Sequence, residues 1–369
     1  MRILFVTHDT SSYGASKSLQ ALIAALKEKD VHCELVVRRR ILGTYNYKEL
    51  KNRFGVDTVH TLWLPFWSCF VGRKQPLSIK ETIWLKLNNF FSKFTNSQII
   101  ALADQNDIDV IHLNSIVLID LVSNRFPFII HVRELMDLTF RDLMVNKIKK
   151  ASGVVCIDNV VSEPLRNFEI SNLLMLSNPY SLNSTSETLK SPRYNDFIRR
   201  INDKYVIAII GYVKDEKGIN FVLDFLKNNN DNRFVFAVIG QGELFTTCKS
   251  FEKNDPRLIT YGEEDNISNI YRNVDLVVRG DDVPRVGRTI YEAIYSGTNV
   301  LIPGTKSDYP SDLFEKYSES ICLYKTRDVY DFSDQINTMV TKGKTPRKFS
   351  QSAQFDTHSL IDFYKKVIN

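Results

Sequence analysis

The sequence predicts an α/β fold with two tandem, doubly wound, Rossmann-like domains. Three observations carry this. Short β-branched runs alternate with helix-period segments, the alternation breaks once near the middle, and it then restarts. At 369 residues the chain exceeds one ordinary domain and suits two of roughly 150–200 residues.

Ile3-Leu4-Phe5-Val6 reads as a buried strand from its brevity and apolar content. Leu19, Leu22, Ile23 and Leu26 recur at amphipathic-helix spacing, so Ser16–Lys29 is a helix. Cys33–Val37, Val110–Leu113, Phe128–His131 and Gly153–Ile157 are the next strands. Strands separated by helices need crossover connections, which make the sheet parallel. Tyr180–Lys204 is rich in Ser, Asn, Thr and Arg and has no apolar period. It marks a linker, 183–203, between domains 1–182 and 204–352. Beyond it come a strand, Tyr205–Ile210, a helix, Ile219–Lys227, and strands Arg233–Ile239, Leu258–Tyr261, Val274–Val278 and Asn299–Ile302. The tail, 353–369, holds a short amphipathic helix with Leu360, Phe363, Tyr364 and Val367 on one side. It is expected to pack back toward the first domain.

An apolar content of 43% and a charged content of 25% are those of a soluble globular protein. No apolar run reaches the ~18 residues of a membrane span. The opening MRILFVTHDT lacks the apolar core and cleavage site of a signal peptide, so a cytoplasmic location is expected. Five scattered cysteines form no CxxC pair and read as reduced thiols with no zinc site. The net charge of +5 is small and no nucleic-acid partner is expected, but the charge is concentrated. Between Leu62 and Ser97, five cations (Arg73, Lys74, Lys80, Lys86 and Lys93) face one acid, Glu81. All three tryptophans, Trp63, Trp67 and Trp84, lie there too.

Ligands of open parallel sheets collect beyond the carboxyl ends of the strands. With two such sheets the expected site is the cleft between them. The strand-end segments are His8–Lys17, His112–Ser115, His131–Glu134, Gly211–Gly218, Gly240–Gly242 and Arg279–Glu292. GYVKDEKG, from Gly211 to Gly218, puts Lys217 at a helix entrance, where free amides and a cation suit a phosphate. Gly240 and Gly242 fit either a ligand's approach to the backbone or a tight turn. Thr289 and Glu292 have capping-box spacing. Arg288 stands where a helix N-terminus disfavours positive charge, which points to an anion docked beside it and Gly287. Glu292, one turn on, can accept both hydroxyls of a cis-diol such as a ribose. The capping and ligand readings are compatible. His131, Arg133 and Glu134 put three titratable groups at one strand end, near Asn114, and Gly14, Ser16 and Lys17 open the first helix. The chain has neither a GxGxxG dinucleotide fingerprint nor a P-loop. Asp107-Ile-Asp109 precedes its strand and reads as a solvated turn, so no metal is expected.

GYVKDEKG, VIGQGEL and GRTIYEAIYSGTNVLIPG, with HDTSSYGASKSLQALIAAL, HVRE, CIDNVVSEPL and LSNPY in the first half, resemble the GT-B glycosyltransferases. The likeness is to the retaining family four (glycosyl transferases group one) and runs over nearly the whole chain. The resemblance implies that Glu292 holds the nucleotide ribose, Lys217 the donor diphosphate, and that His131 lies near the transferred sugar. Gly14 would bring amides to the reacting groups. The catalytic set is then His131, Lys217, Arg288 and Asp282. The donor contacts are Gly14, Gly211, Lys217, Gly240, Gly242, Gly287, Arg288, Thr289 and Glu292, and the acceptor side holds Ser16, Lys17, Asn114, Arg133 and Glu134. Three departures stand out. The family's first acid falls on Pro284, which leaves Asp282 to serve if the loop is expanded. Tyr212 replaces an arginine of the first phosphate loop, and one glycine, Gly14, replaces a pair.

The implied reaction moves a hexose-type sugar from a nucleotide-sugar donor to a glycan or polyprenyl-linked saccharide. It proceeds with retention and without a covalent intermediate, metal or cofactor, in cell-surface polysaccharide synthesis. Cations at the departing diphosphate stabilise the transition state, and domain closure excludes water. The alternatives are a sugar-nucleotide epimerase of the same fold and a non-catalytic partner that binds glycans or a transferase. Trp63, Trp67, Arg73, Lys74, Trp84 and Lys86 suit peripheral association with an anionic membrane at the inner face of the plasma membrane. They fit equally a packed layer under the N-terminal sheet with a wet cationic face.

Overall fold

The computed structural model describes residues 1–10, 14–40, 44–65, 78–134, 136, 141–165, 168–170, 172–177, 191–264, 267–281, 287–309, 311–344 and 356–369. The chain folds as two units, Met1–Pro179 with Gln354–Asn369, and Tyr180–Ala353.

The first unit holds β1 (Arg2–Thr7), β2 (His32–Arg38), β3 (Thr58–Leu62), β4 (Val110–Leu113), β5 (Phe128–Val132), β6 (Gly153–Cys156) and β7 (Leu173–Met175). Their order is β3-β2-β1-β4-β5-β6-β7, with every neighbouring pair parallel. The second unit holds β8 (Tyr205–Ile210), β9 (Phe234–Ile239), β10 (Leu258–Gly262), β11 (Leu276–Val278), β12 (Asn299–Pro303) and β13 (Ile321–Tyr324). Their order is β10-β9-β8-β11-β12-β13, again parallel throughout. In each sheet the connections wind one way and then the other. The order reverses between β1 and β4 and between β8 and β11, where open α/β sheets leave room for a ligand.

The central strands β1, β4, β5, β9 and β11 are buried or nearly so along their length. Helices cover both faces, so their sequence is continuously apolar. β3 and β7 lie at the edges and are mostly half-buried or exposed. TVHTL and LLM carry little of that signal, which is why these strands were not expected. Within the stretch read as linker, Pro192–Arg200 is a helix. Ser191 caps it by accepting from the Tyr194 N–H, and Pro192 sits in the first turn. Phe197 and Ile201 are buried against the β10 side of the second sheet. The apolar stripe is there, at Tyr194, Phe197, Ile198 and Ile201, but is hidden among charges.

The C-terminal helix, Thr357–Ile368, belongs to the first unit. Leu360, Phe363 and Tyr364 share one core with Phe5, Leu19, Leu22, Ile129 and Val155. Gly153 makes the room, since a Cβ there would lie 2.7 Å from Phe363 Cζ. Gly153→Val should therefore cost about 2 kcal/mol of stability and raise amide exchange in 357–368. Urea unfolding and hydrogen exchange would check both.

Candidate active site

In the second unit, glycines let the loops after β8, β9 and β11 close on one another. Gly240 has φ +140°, and a Cβ there would lie 1.9 Å from the Gly211 carbonyl oxygen. A Cβ on Gly218, at φ +76°, would lie 2.2 Å from Gly280 Cα. One on Gly242 would meet the Val213 carbonyl oxygen at 2.4 Å. Gly240 and Gly242 thus have a packing reason to be glycine. The position of the missing Cβ of Gly211 faces open space.

This closure brings Lys217 to Asp281. Lys217 Nζ donates to Asp281 Oδ1 at 3.0 Å. The guanidinium of Arg279 grips the same carboxylate at both oxygens, Nε to Oδ2 at 2.5 Å and Nη2 to Oδ1 at 2.8 Å. Arg279 Nη1 then donates to Thr289 Oγ1 at 3.2 Å. Arg279 and Asp281 are both buried. Burial alone would raise the Asp281 carboxyl, but Arg279 and Lys217 hold it below its ordinary value. Burial likewise opposes the Arg279 charge, and Asp281 outweighs it. Tyr324 anchors the arginine by donating to its carbonyl oxygen at 2.7 Å.

The helix Arg288–Tyr295 begins against this guanidinium. Its N-cap is Gly287, where a Cβ would lie 2.3 Å from Arg279 Nη1. The capping box expected from Thr289 and Glu292 is not formed. Only glycine fits over Arg279, so the helix starts two residues earlier and the Thr289 hydroxyl serves the arginine. Glu292 turns the other way. Its Oε1 accepts from Arg288 Nε at 2.6 Å, and Oε2 lies 3.2 Å from the Tyr271 hydroxyl. Asp282 lies outside the described residues, as do Trp67, Arg73 and Lys74.

In the first unit the candidate residues meet at the carboxyl ends of β4 and β5. Arg133 Nε donates to Asn114 Oδ1 at 3.1 Å, and Asn114 Nδ2 donates to the Ala15 carbonyl oxygen at 3.4 Å. That ties β4 and β5 to the first helix, Gly14–Lys27. His131 Nδ1 lies 3.2 Å from Arg133 Nη2 and 3.1 Å from His112 Nε2. Glu134 is used locally. Its carboxylate accepts from Ser115 Oγ at 2.5 Å and from the Ile116 and Arg133 N–H groups at 3.3 Å each. Burial nonetheless raises its pKa. Ser16 is buried, its hydroxyl accepting from Gln20. Lys17 is half-buried, and at Gly14 an added Cβ would meet nothing within 4 Å.

Sequence reading missed Arg279, Asp281, Tyr271, His112 and Tyr364 as supports of these clusters. The available signal was an arginine and an aspartate two residues apart where an apolar strand ends. Arg279→Met should destabilise the protein by about 3 kcal/mol at neutral pH, because it leaves the buried Asp281 carboxylate half-paired. Since the folded pKa of Asp281 is depressed below 3.8, the pair's stabilisation is present above that value. It is lost as pH falls through the folded pKa, so the gap between variant and wild type should close in acid. Urea midpoints measured across pH would show it.

Residues 193–355 match the family model for glycosyl transferases group 1. No curated protein matches the chain. Among solved structures, Anabaena Alr3699/HepE in complex with UDP-glucose aligns at 16% identity and a TM-score of 0.69, covering 100% of this chain and 98% of that one. A glycosyltransferase from Rickettsia africae ESF-5 aligns at 13% identity and a TM-score of 0.69, with coverage of 100% and 98%. Sucrose-phosphate synthase from Thermosynechococcus elongatus gives 12% and 0.68, covering 100% and 93%. Residues 193–355 thus resemble the glycosyl transferases group 1, and the chain as a whole has the GT-B fold of these solved structures.

Proposed function

We propose that the protein transfers a hexose-type sugar, with retention, from a nucleotide-sugar donor to a glycan or polyprenyl-linked saccharide of the cell surface. The observation that carries this is the hydrogen-bonded chain Lys217–Asp281–Arg279–Thr289. It fixes a lysine near a helix start that no side chain caps. Two cations share one carboxylate there, so one positive charge remains for a diphosphate. That charge is held in place before the phosphate departs, which is how preorganised electrostatics lowers a barrier. Lys217 serves the leaving diphosphate with Arg288. Glu292, oriented by Arg288 and Tyr271, takes the ribose hydroxyls. His131 contacts the transferred sugar, and the first helix offers its amides at Gly14. The charge comes from side chains and the scheme needs no metal. The HepE structures are complexes with UDP and UDP-glucose, so UDP-hexoses are the donors to try first.

A second part of the proposal concerns the helix Ile79–Gln105. Up to Thr95 its buried face is polar, with Asn88, Ser92 and Thr95 inside, and beyond it Ile99, Ile100 and Ala103 are buried. Its solvent side is apolar: Ile79 is 81% exposed, Phe90 72% and Phe94 66%, with Ile83, Trp84, Leu87 and Phe91 also exposed. At helical spacing, Ile79, Ile83, Leu87, Phe90 and Phe94 fall within an arc of about 80°. Lys80, Lys86 and Lys93 are exposed alongside. An apolar stripe flanked by lysines suits the surface of an anionic membrane, where a polyprenyl-linked acceptor resides. Packing under the N-terminal sheet does not account for this face. No described helix is long and apolar enough to cross a membrane.

Lys217→Ala and Glu292→Ala should each reduce sugar transfer at least about a hundredfold while the protein stays folded. Wild-type rates in both would refute the site. Gly14→Ala should leave the melting temperature unchanged, since its Cβ meets nothing, yet lower turnover. Flotation with vesicles containing phosphatidylglycerol should carry the protein upward, and Phe90→Ser with Phe94→Ser should abolish this. A protein that stays at the bottom of the gradient ends the membrane proposal.

A further inference from the structure

Arg133 dictates the proton positions in a buried chain that runs from the C-terminal helix to His131. A guanidinium donates hydrogen bonds and accepts none. The ring nitrogen it faces, His131 Nδ1, 3.2 Å from Arg133 Nη2, is therefore a lone pair. His112 Nε2 lies 3.1 Å from the same Nδ1 and must carry a proton to share that lone pair. Both imidazoles are buried. Burial, reinforced by the Arg133 charge, lowers both pKa values, that of His112 to about 3, so both rings are neutral. A neutral His112 protonated at Nε2 has its lone pair at Nδ1. The Tyr364 hydroxyl, 2.6 Å away, donates to it. By the same count the single ring proton of His131 sits on Nε2. That nitrogen is buried and has no hydrogen-bond partner among the described residues. The chain Tyr364 → His112 → His131 thus ends on a donor with no acceptor among the described residues, a costly arrangement unless a ligand supplies one.

We propose that Tyr364 and His112 are positioning residues that hold His131 as a neutral Nε2–H donor, presented to an oxygen of the bound sugar. His131 then donates a hydrogen bond and removes no proton. This rests on the reading of His131 as a sugar contact, and adds the proton inventory and the two residues that set it. It also gives the C-terminal helix a share in the site, because Tyr364 belongs to Thr357–Ile368.

The test uses the full-length protein with 15N-labelled histidines, read by long-range 1H–15N correlation. In the wild type, His131 and His112 should both show the Nε2-protonated pattern between about pH 6 and pH 8, without titrating. Tyr364→Phe keeps the packed ring and removes only the hydroxyl. The His112 Nδ1 resonance should then move to the position of a ring nitrogen that accepts no hydrogen bond. In the same variant kcat should fall about tenfold, with KM for the donor within about twofold. A wild-type His131 protonated on Nδ1, or a His112 Nδ1 resonance unmoved in Tyr364→Phe, overturns the relay whatever the activity. His131→Gln retains an N–H donor and should recover part of the transfer lost in His131→Ala, and equal loss in both overturns the donor role. Full activity in His131→Ala removes the sugar contact itself, while the spectra independently report whether the relay exists.

Discussion

The buried ion pair of Arg279 and Asp281 is the constraint around which the second unit's site is built. Two opposite charges taken out of water are tolerable only when each is fully hydrogen-bonded. Asp281 meets that condition through two contacts from Arg279 and one from Lys217. Arg279 meets it through Asp281 and Thr289. Each partner lies on a different segment: the loop after β8, the end of β11, and the helix that follows. Satisfying the pair therefore fixes the relative placement of all three. The glycines follow from the same requirement. Gly287 leaves space for the guanidinium, and Gly218 and Gly280 let the two loops touch backbone to backbone. Lys217, fastened to a buried carboxylate, keeps its charge in a fixed place.

The first unit solves a similar problem with neutral groups. His112 and His131 are too deeply buried to carry charge, so their order comes from the direction of hydrogen bonds. Arg133 sets that direction at one end and Tyr364 closes it at the other. Asn114 links the same arginine to the first helix. One unit thus offers fixed charge and the other a fixed dipole.

The first part of the helix Ile79–Gln105, up to Thr95, runs against the usual rule, with polar residues inside and aromatic residues outside, whereas Ile99, Ile100 and Ala103 further on are buried in the usual way. Two of its inner polar groups find backbone acceptors. Thr95 Oγ1 donates to the Trp63 carbonyl oxygen at 2.8 Å, and Ser92 Oγ to that of Asn89 at 2.9 Å. Exposed apolar area on this scale is unfavourable in water and is retained where something else covers it.

Two parallel sheets and their central strands could be read from the sequence, because strands buried on both faces must be continuously apolar. The edge strands β3 and β7 could not, since one side of each faces away from the core and the apolar pattern dissolves. The helix Pro192–Arg200 was hidden because its charges mask a four-residue stripe. Residue types at strand ends singled out Lys217, Arg288, Glu292 and His131 as candidates. The sequence cannot state which oxygen faces which nitrogen. Only the tertiary structure decided that Asp281 fastens Lys217, that Glu134 is consumed by its own loop, and that Gly287 exists for Arg279. It alone brought Tyr364 beside His112, 252 residues earlier in the chain. Periodicity is a local property of the chain, whereas hydrogen-bond partnership across such separations exists only once the sheets have formed.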